Sequence, residues 1–197
     1  RGCAGVLVGD IEGGDTARIA EDLGRIRSAT DSMMRLLDSI LKVSRAGRVL
    51  EARDEVPLGE IVREAMEFVR GRLDQRGVEV HVSADLPVRR VDRARMLEVF
   101  SNLLENAVKF MGAEPAPRIE VGSLDEGGET VFFVRDNGMG LEPEDAERIF
   151  RMFEKLDARA EGSGLGLSLV QRIIEAHGGR VWAQSDGRGC GTSFCFT

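Results

Sequence analysis

A heptad seam in the first quarter of the chain limits what it can fold into. Ile19, Leu23, Ile26, Thr30, Met33, Leu37, Ile40 and Ser44 alternate four and three residues apart between Asp15 and about Ala46. A helix of ~32 residues rising ~1.5 Å each is ~48 Å long, more than the width of a compact domain of this size. A surface helix packed on its own domain is the alternative, and its length argues against that. Ala29, Leu36 and Val43 broaden the stripe beyond what a two-stranded coil uses, which suits a four-helix bundle made with a second copy of the chain. Upstream, Ala4, Leu7, Val8 and Ile11 recur at helical spacing until Gly13-Gly14-Asp15 breaks the pattern, with Asp15 set to cap the next helix. Residues 1–46 therefore read as part of a helical hairpin whose first arm is short, and a homodimer is expected through it.

The polar stretch Gly47 to Pro57 reads as a linker, and residues 58–197 as one domain. A helix is expected over Leu58 to Leu73, with Ile61, Ala65, Phe68 and Val69 inward, then a strand alternating Val78, Val80 and Val82. A helix capped by Asp92 runs to Phe110, and strands Arg118 to Leu124 and Glu129 to Arg135 join through a hairpin turn at Asp125 to Gly128. A short helix follows Pro143, another spans Leu165 to His177 and stops at Gly178-Gly179, and two final strands flank Asp186-Gly187-Arg188-Gly189. Such an order gives an α+β, two-layer sandwich with helices on one face of a largely antiparallel sheet.

Composition excludes several function classes. With 34 acidic against 27 basic residues the net charge of -7 disfavours nucleic acid, and no apolar run approaches the ~20 residues of a membrane span, so no direct membrane contact is expected. Cys3, Cys190 and Cys195 have no C-x-x-C spacing, which points to a reducing, cytoplasmic setting rather than to disulfides or zinc. His81 and His177 lie in different kinds of segment and are expected to be structural, not metal ligands. The chain opens at Arg1 with no initiator Met and no signal-peptide pattern, so it is expected to be a piece of a longer protein. Its 24 glycines beside only five prolines indicate places where backbone without side chains is needed.

Those places carry the chemistry. At ~100° per residue from Glu98, the side chains of Asn102, Asn106 and Lys109 fall within about 80° of one another, while Phe100, Leu103, Leu104 and Ala107 occupy the opposite face. A row of Glu and Lys alone would be a solvated surface. Asn is a mediocre helix former whose value is an amide oxygen and two donors, so the row can hold a hydrated Mg²⁺ and the phosphates it bridges. Asp136-Asn-Gly138-Met-Gly140 ends a strand. A plain turn would look the same, but a strand-end carboxylate beside bare backbone can also accept from the exocyclic amine of adenine and would repel the carbonyl of guanine. Gly162-Ser163-Gly164-Leu165-Gly166 opens a helix and exposes N–H groups suited to phosphate, or is simply a flexible connector. Dinucleotide and P-loop fingerprints are absent, because Leu167 stands where the former has its last glycine and no G-x-x-x-x-G-K-[ST] occurs.

The order of these segments, Asn102-Leu-Leu-Glu-Asn106-Ala-Val-Lys109-Phe110, Asp136-Asn-Gly138-Met-Gly140, Ile149-Phe150-Arg-Met-Phe153-Glu-Lys155, Gly162-Ser-Gly164-Leu-Gly166-Leu167 and Gly191-Thr192-Ser-Phe194, resembles the N, G1, F, G2 and G3 boxes of sensor histidine kinases. The resemblance covers Val56 to Thr197. The long helix is similar to the second helix of that family's dimerisation and phosphotransfer hairpin, and the whole looks most like phytochrome-type or multi-sensor kinases of the GHKL (Bergerat) ATPase fold.

The resemblance implies ATP and Mg²⁺ as cofactors. Asn106 would ligate the metal, Asn102 and Lys109 would face the phosphates, and Phe110 would lie against the nucleoside. Asp136, helped by Thr192, would take the adenine amine, and Gly138 and Gly140 would let the base approach. Gly162, Ser163, Gly164, Leu165, Gly166 and Leu167 would form the hinge and phosphate-facing end of a small lid, and Glu98 would orient or deprotonate the attacking imidazole. The family's acceptor His has no counterpart in residues 1–14, so it is expected upstream of Arg1, with upstream sensor domains and a response-regulator receiver domain as partners. A non-transferring ATP-binding regulator of the same fold is the alternative, separable by finding or not finding a His about one helix length before Gly13. An ATPase of the chaperone, topoisomerase or mismatch-repair kind needs large further domains, and the heptad arm argues against it.

Overall fold

The computed structural model describes residues 16–46, 54–156 and 163–197. The short first arm, its Gly13-Gly14 turn, most of the expected linker, and Gly162 lie outside the described residues. The first helix, α1 (Thr16–Ala46), runs 31 residues without a break, as the seam requires. Leu23, Met33, Met34, Leu37, Ile40 and Leu41 stand exposed along it. Arg25 pairs with Glu21 at 3.0 Å one turn away, and Thr30 Oγ1 donates back to the Ile26 carbonyl at 2.9 Å. The arm is one compact unit, and residues from Lys42 onward form a second.

In the second unit the elements follow as β1 (Asp54–Pro57), α2 (Leu58–Arg76), β2 (Glu79–Val82), β3 (Val88–Val91), α3 (Arg93–Lys109), β4 (Arg118–Glu126) and β5 (Glu129–Asp136). Two 3-10 turns, Pro143–Asp145 and Arg148–Phe150, then precede α4 (Gly166–His177), β6 (Val181–Gln184) and β7 (Thr192–Phe196). Five strands pair in the order β2-β4-β5-β7-β6, with β2 parallel to β4 and the other neighbours antiparallel. The register sets Val121, Val134 and Phe194 on one face, beside Phe132 and Phe196. On that face Phe196 stacks with Phe132 at 5.3 Å between ring centroids and meets Phe100 of α3 edge-on at 5.7 Å. Side chains of this size contribute about 1.5–3 kcal/mol each when fully buried, so the aromatic layer joins helix to sheet.

The expected sandwich is therefore present, with differences that have physical causes. Asp54–Pro57, at the end of the expected linker, is a strand paired antiparallel with Val88–Val91 in a separate two-stranded sheet. Neither segment is long or apolar enough to show a period of its own. Phe68, expected inward, is 69% exposed, because it lies at the margin of the stripe that buries Leu58, Ile61, Val62, Ala65, Val69 and Leu73. The short helix expected after Pro143 is realised as two 3-10 turns.

The helix that carries the candidate site is anchored at its start. The Asp92 side chain accepts from the Arg95 N–H at 3.1 Å, an N-cap of the usual kind. The Asp92 N–H donates to His177 Nε2 at 3.1 Å, and His177 Nδ1 reaches the Ile173 carbonyl at 2.8 Å. A carbonyl only accepts, so Nδ1 carries the proton and His177 ties the end of α4 to the start of α3. His81 meets Glu79 at 3.1 Å on the exposed side of β2. Both histidines have structural partners.

Candidate nucleotide site

The opposed faces expected of the Glu98 to Lys109 segment are realised in α3. Val99, Phe100, Leu103, Leu104, Ala107 and Val108 are buried, whereas Glu98, Asn102, Asn106 and Lys109 are partly accessible. Glu98 is held by Arg95, whose Nη1 lies 3.2 Å from its Oε2. Asn102 Nδ2 donates to the Glu98 carbonyl at 2.7 Å, and its Oδ1 faces the first residue of α4, since a Cβ on Gly166 would come within 2.7 Å of it. The amide row and the glycine-opened helix start thus meet directly. The Lys109 ammonium sits 4.6 Å over the Phe110 ring, and Phe110 itself is 37% exposed.

Asp136 ends β5 and is buried at 6% exposure. Burial pushes its carboxyl up to about 6, against the pull of N–H groups from Gly138 and Thr192. The Gly138 N–H is 2.9 Å from Oδ1. A Cβ on Gly138 would lie 2.5 Å from the Phe110 carbonyl, and the Met139 N–H donates to that same carbonyl at 2.9 Å. The carboxylate loop is therefore bonded to the end of α3. Thr192 stands opposite Asp136 in the β5–β7 register and is buried beside it. Gly140 has φ 66° and a Cβ there would fall 2.1 Å from the Gly187 carbonyl, so only glycine fits.

The second glycine segment, which meets Asn102 at Gly166, is also bonded to the F-box residues. Phe153, at φ 64°, donates its N–H to the Gly164 carbonyl at 3.0 Å, and Ser163 Oγ accepts from the Leu165 N–H at 3.3 Å. Leu165 is 2% exposed, so its side chain belongs to the core and only its backbone can face a ligand; Leu167 is half-buried. Residues that sequence reading did not single out complete the frame. Asn137 Oδ1 accepts from the Arg118 N–H at 2.7 Å and its Nδ2 donates to the Ala116 carbonyl at 2.8 Å, fixing the strand that precedes the loop's neighbour. Ser185 bonds the β6–β7 turn to Leu141 at 3.0 Å. Asn137 stands inside the glycine box read from the sequence, but its bonds to the start of β4, like those of Ser185, carry no periodic or spacing signal.

A buried carboxylate, bare backbone beside it and the end of an amide-bearing helix bonded to the same loop give a site whose donors, acceptors and open backbone suit an adenine nucleotide. Residues 91–197 match the model of the histidine kinase-, DNA gyrase B- and HSP90-like ATPases, and the chain belongs to that family. Within it the likeness is to histidine kinases. The chain is 47% identical, over all 197 of its residues, to the methanogenesis regulatory histidine kinase FilI of Methanothrix harundinacea, of which it spans 22%. It is 38% identical over 172 residues, 85% of the chain, to cyanobacterial phytochrome B of Nostoc sp., of which it spans 23%. The structure of full-length ShkA in complex with AMPPNP superposes with a TM-score of 0.73 at 29% identity, covering 92% of this chain and 38% of that one. The chain thus spans less than half the length of each. Among the described residues no helix is long and apolar enough to cross a membrane.

Proposed function

We propose that this chain is the ATP-binding kinase core of a sensor histidine kinase, which transfers the γ-phosphoryl group of Mg²⁺-ATP to a His upstream of Arg1 for relay to a response-regulator receiver domain. The observation that carries this reading is the meeting of four sequence-distant segments through three contacts: Asn102 against Gly166, Phe110 against Gly138 and Met139, and Asp136 against Thr192. Asp136 would accept from the adenine amine, Gly138 and Gly140 would let the ring approach, and Phe110 would pack on the nucleoside. Asn106 would hold Mg²⁺ through its amide oxygen, with Asn102 and Lys109 toward the phosphates and the segment from Gly162 to Leu167 closing over them. Bound Mg²⁺ supplies neutralisation of phosphate charge, as phosphoryl transfer generally requires. Glu98, oriented by Arg95 at 3.2 Å, would position the attacking imidazole and take its proton.

The exposed apolar positions of α1 would be covered by a second copy, making a cytoplasmic homodimer attached to upstream sensor domains. Radiolabelled ATP tests the assignment. The chain alone is expected to take no acid-labile, base-stable label, and to label a supplied helix bearing the missing His. Asn106→Ala should abolish that transfer, whereas Glu98→Gln should slow it while leaving ADP affinity in place, because a group acting mainly in the transition state changes rate more than binding. Label on His81 or His177 would defeat the upstream assignment.

A further inference from the structure

We propose that Ser185 is a positioning residue for adenine recognition: its hydroxyl holds the Gly191–Thr192 peptide, and with it the pairing of Thr192 with Asp136, in place beside the loop that would face the base. This rests on the reading of Asp136 as the adenine-binding group. A serine hydroxyl has one proton to give and two lone pairs to receive with, and Ser185 uses all three. It donates to the Gly191 carbonyl at 2.7 Å, and accepts from the Leu141 N–H at 3.0 Å and the Gly187 N–H at 3.3 Å. The Gly187 carbonyl, at 3.2 Å, is a second and longer outlet for the same proton.

The Gly191 carbonyl and the Thr192 N–H are the two ends of one peptide plane, and Thr192 is the register partner of Asp136, buried beside it. Fixing one end of a rigid plane fixes the other. Leu141, on the other side of Ser185, directly follows Gly140, so the same hydroxyl pins both borders of the loop that would face the base. Docking of the turn does not depend on Ser185. The Gly189 N–H donates to the Met139 carbonyl at 2.7 Å and the Gly191 N–H to the Gly138 carbonyl at 3.1 Å, both backbone to backbone. Gly191 is the one residue that can pass so near, since a Cβ there would fall 2.1 Å from the Asp136 carbonyl. What the hydroxyl adds is direction.

Calorimetry with ADP and with purine riboside diphosphate, which carries hydrogen where adenine carries its amine, tests this on the native chain and three variants with Mg²⁺ present. Ser185→Ala is expected to weaken ADP about tenfold, the loss typical of one well-placed hydrogen bond, and to change the amine-free nucleotide less than about threefold. Ser185→Thr, which keeps the hydroxyl, should stay within about threefold of the native chain for both. Ser185→Cys keeps the volume and weakens the donor, so it should show the alanine pattern in smaller measure, and it serves if the alanine chain does not fold. ADP affinity unchanged in the alanine and cysteine variants, or equal weakening of both nucleotides, would overturn the proposal, the latter by showing a merely structural role. A threonine variant as weak as alanine would also overturn it. A native chain that bound both nucleotides equally would instead remove the adenine reading of Asp136, and this proposal with it.

Discussion

At the scale of single residues, Asp136 is expected to couple nucleotide binding to pH. Its carboxyl, raised from 3.8 to about 6 by burial, holds a proton more readily than an ordinary carboxylate. An adenine amine needs the ionised form as acceptor, so ADP affinity is expected to fall as pH drops through about 6, with proton release on binding below that point. Titrations in two buffers of different ionisation enthalpy would read that proton directly; the dependence should vanish in Asp136→Asn, together with the preference for adenine. The same shift acts on stability. A carboxyl whose folded value is raised contributes no penalty below its unfolded value of 3.8, and a full one above about 6. At ~1.4 kcal/mol per unit the penalty is at most ~3 kcal/mol. The nucleotide-free chain should therefore lose stability from this group as pH rises between those values, and the difference in Tm between pH 5 and pH 7.5 should shrink in Asp136→Asn.

At the scale of elements, two glycines that look alike in sequence are expected to behave differently. Gly140→Ala would place a Cβ 2.1 Å from the Gly187 backbone carbonyl at a φ of 66°, and backbone cannot swing aside. The cost should be about 2 kcal/mol or more by urea unfolding, with weaker ADP binding as the β6–β7 turn is displaced. Gly166→Ala would meet the Asn102 Oδ1 at 2.7 Å, the far end of a side chain that can turn. Alanine in the first turn of α4 should leave stability within about 0.5 kcal/mol, and any effect should appear in phosphate binding. The N-cap of α3 gives a third measurement. Asp92→Ala removes the bond to the Arg95 N–H and is expected to cost about 1 kcal/mol, while ADP affinity changes little if the helix keeps its seat through the His177 contact.

At the scale of the whole molecule, α1 is expected to set the state of association. Leu23, Met33, Leu37 and Ile40 of the seam are 42–62% exposed, an arrangement that a lone helix in water does not favour. The chain is expected to self-associate, weakly if the first helix of the hairpin is short, and a chain beginning at Asp54 should be monomeric at the same concentration. Light scattering on both, and on Leu37→Glu, distinguishes a bundle from a bare surface helix. Equal masses with and without α1 would count against the bundle.

Much of the architecture could be read before folding. The alternating faces of α3, the stop of α4 at Gly178, the hairpin at Gly127-Gly128 and the length of α1 follow from periods of 3.6 and 2 and from residues with special backbone freedom, all local properties of a chain. The glycine and asparagine boxes were legible for the same reason, as spacings along one helix or around one turn. What lies outside that reach depends on contacts between distant segments. The pairing of Asp54–Pro57 with Val88–Val91, the exposure of Phe68, the core position of Leu165 and the threefold bonding of Ser185 have no signature in their own neighbourhoods. Sequence by itself determined which groups the chain carries and on which face of each element they stand. Tertiary structure alone decided which of those groups meet, because a hydrogen bond of about 3 Å between residues 40 or 50 apart exists only after the sheet register and the helix packing have closed the loops between them.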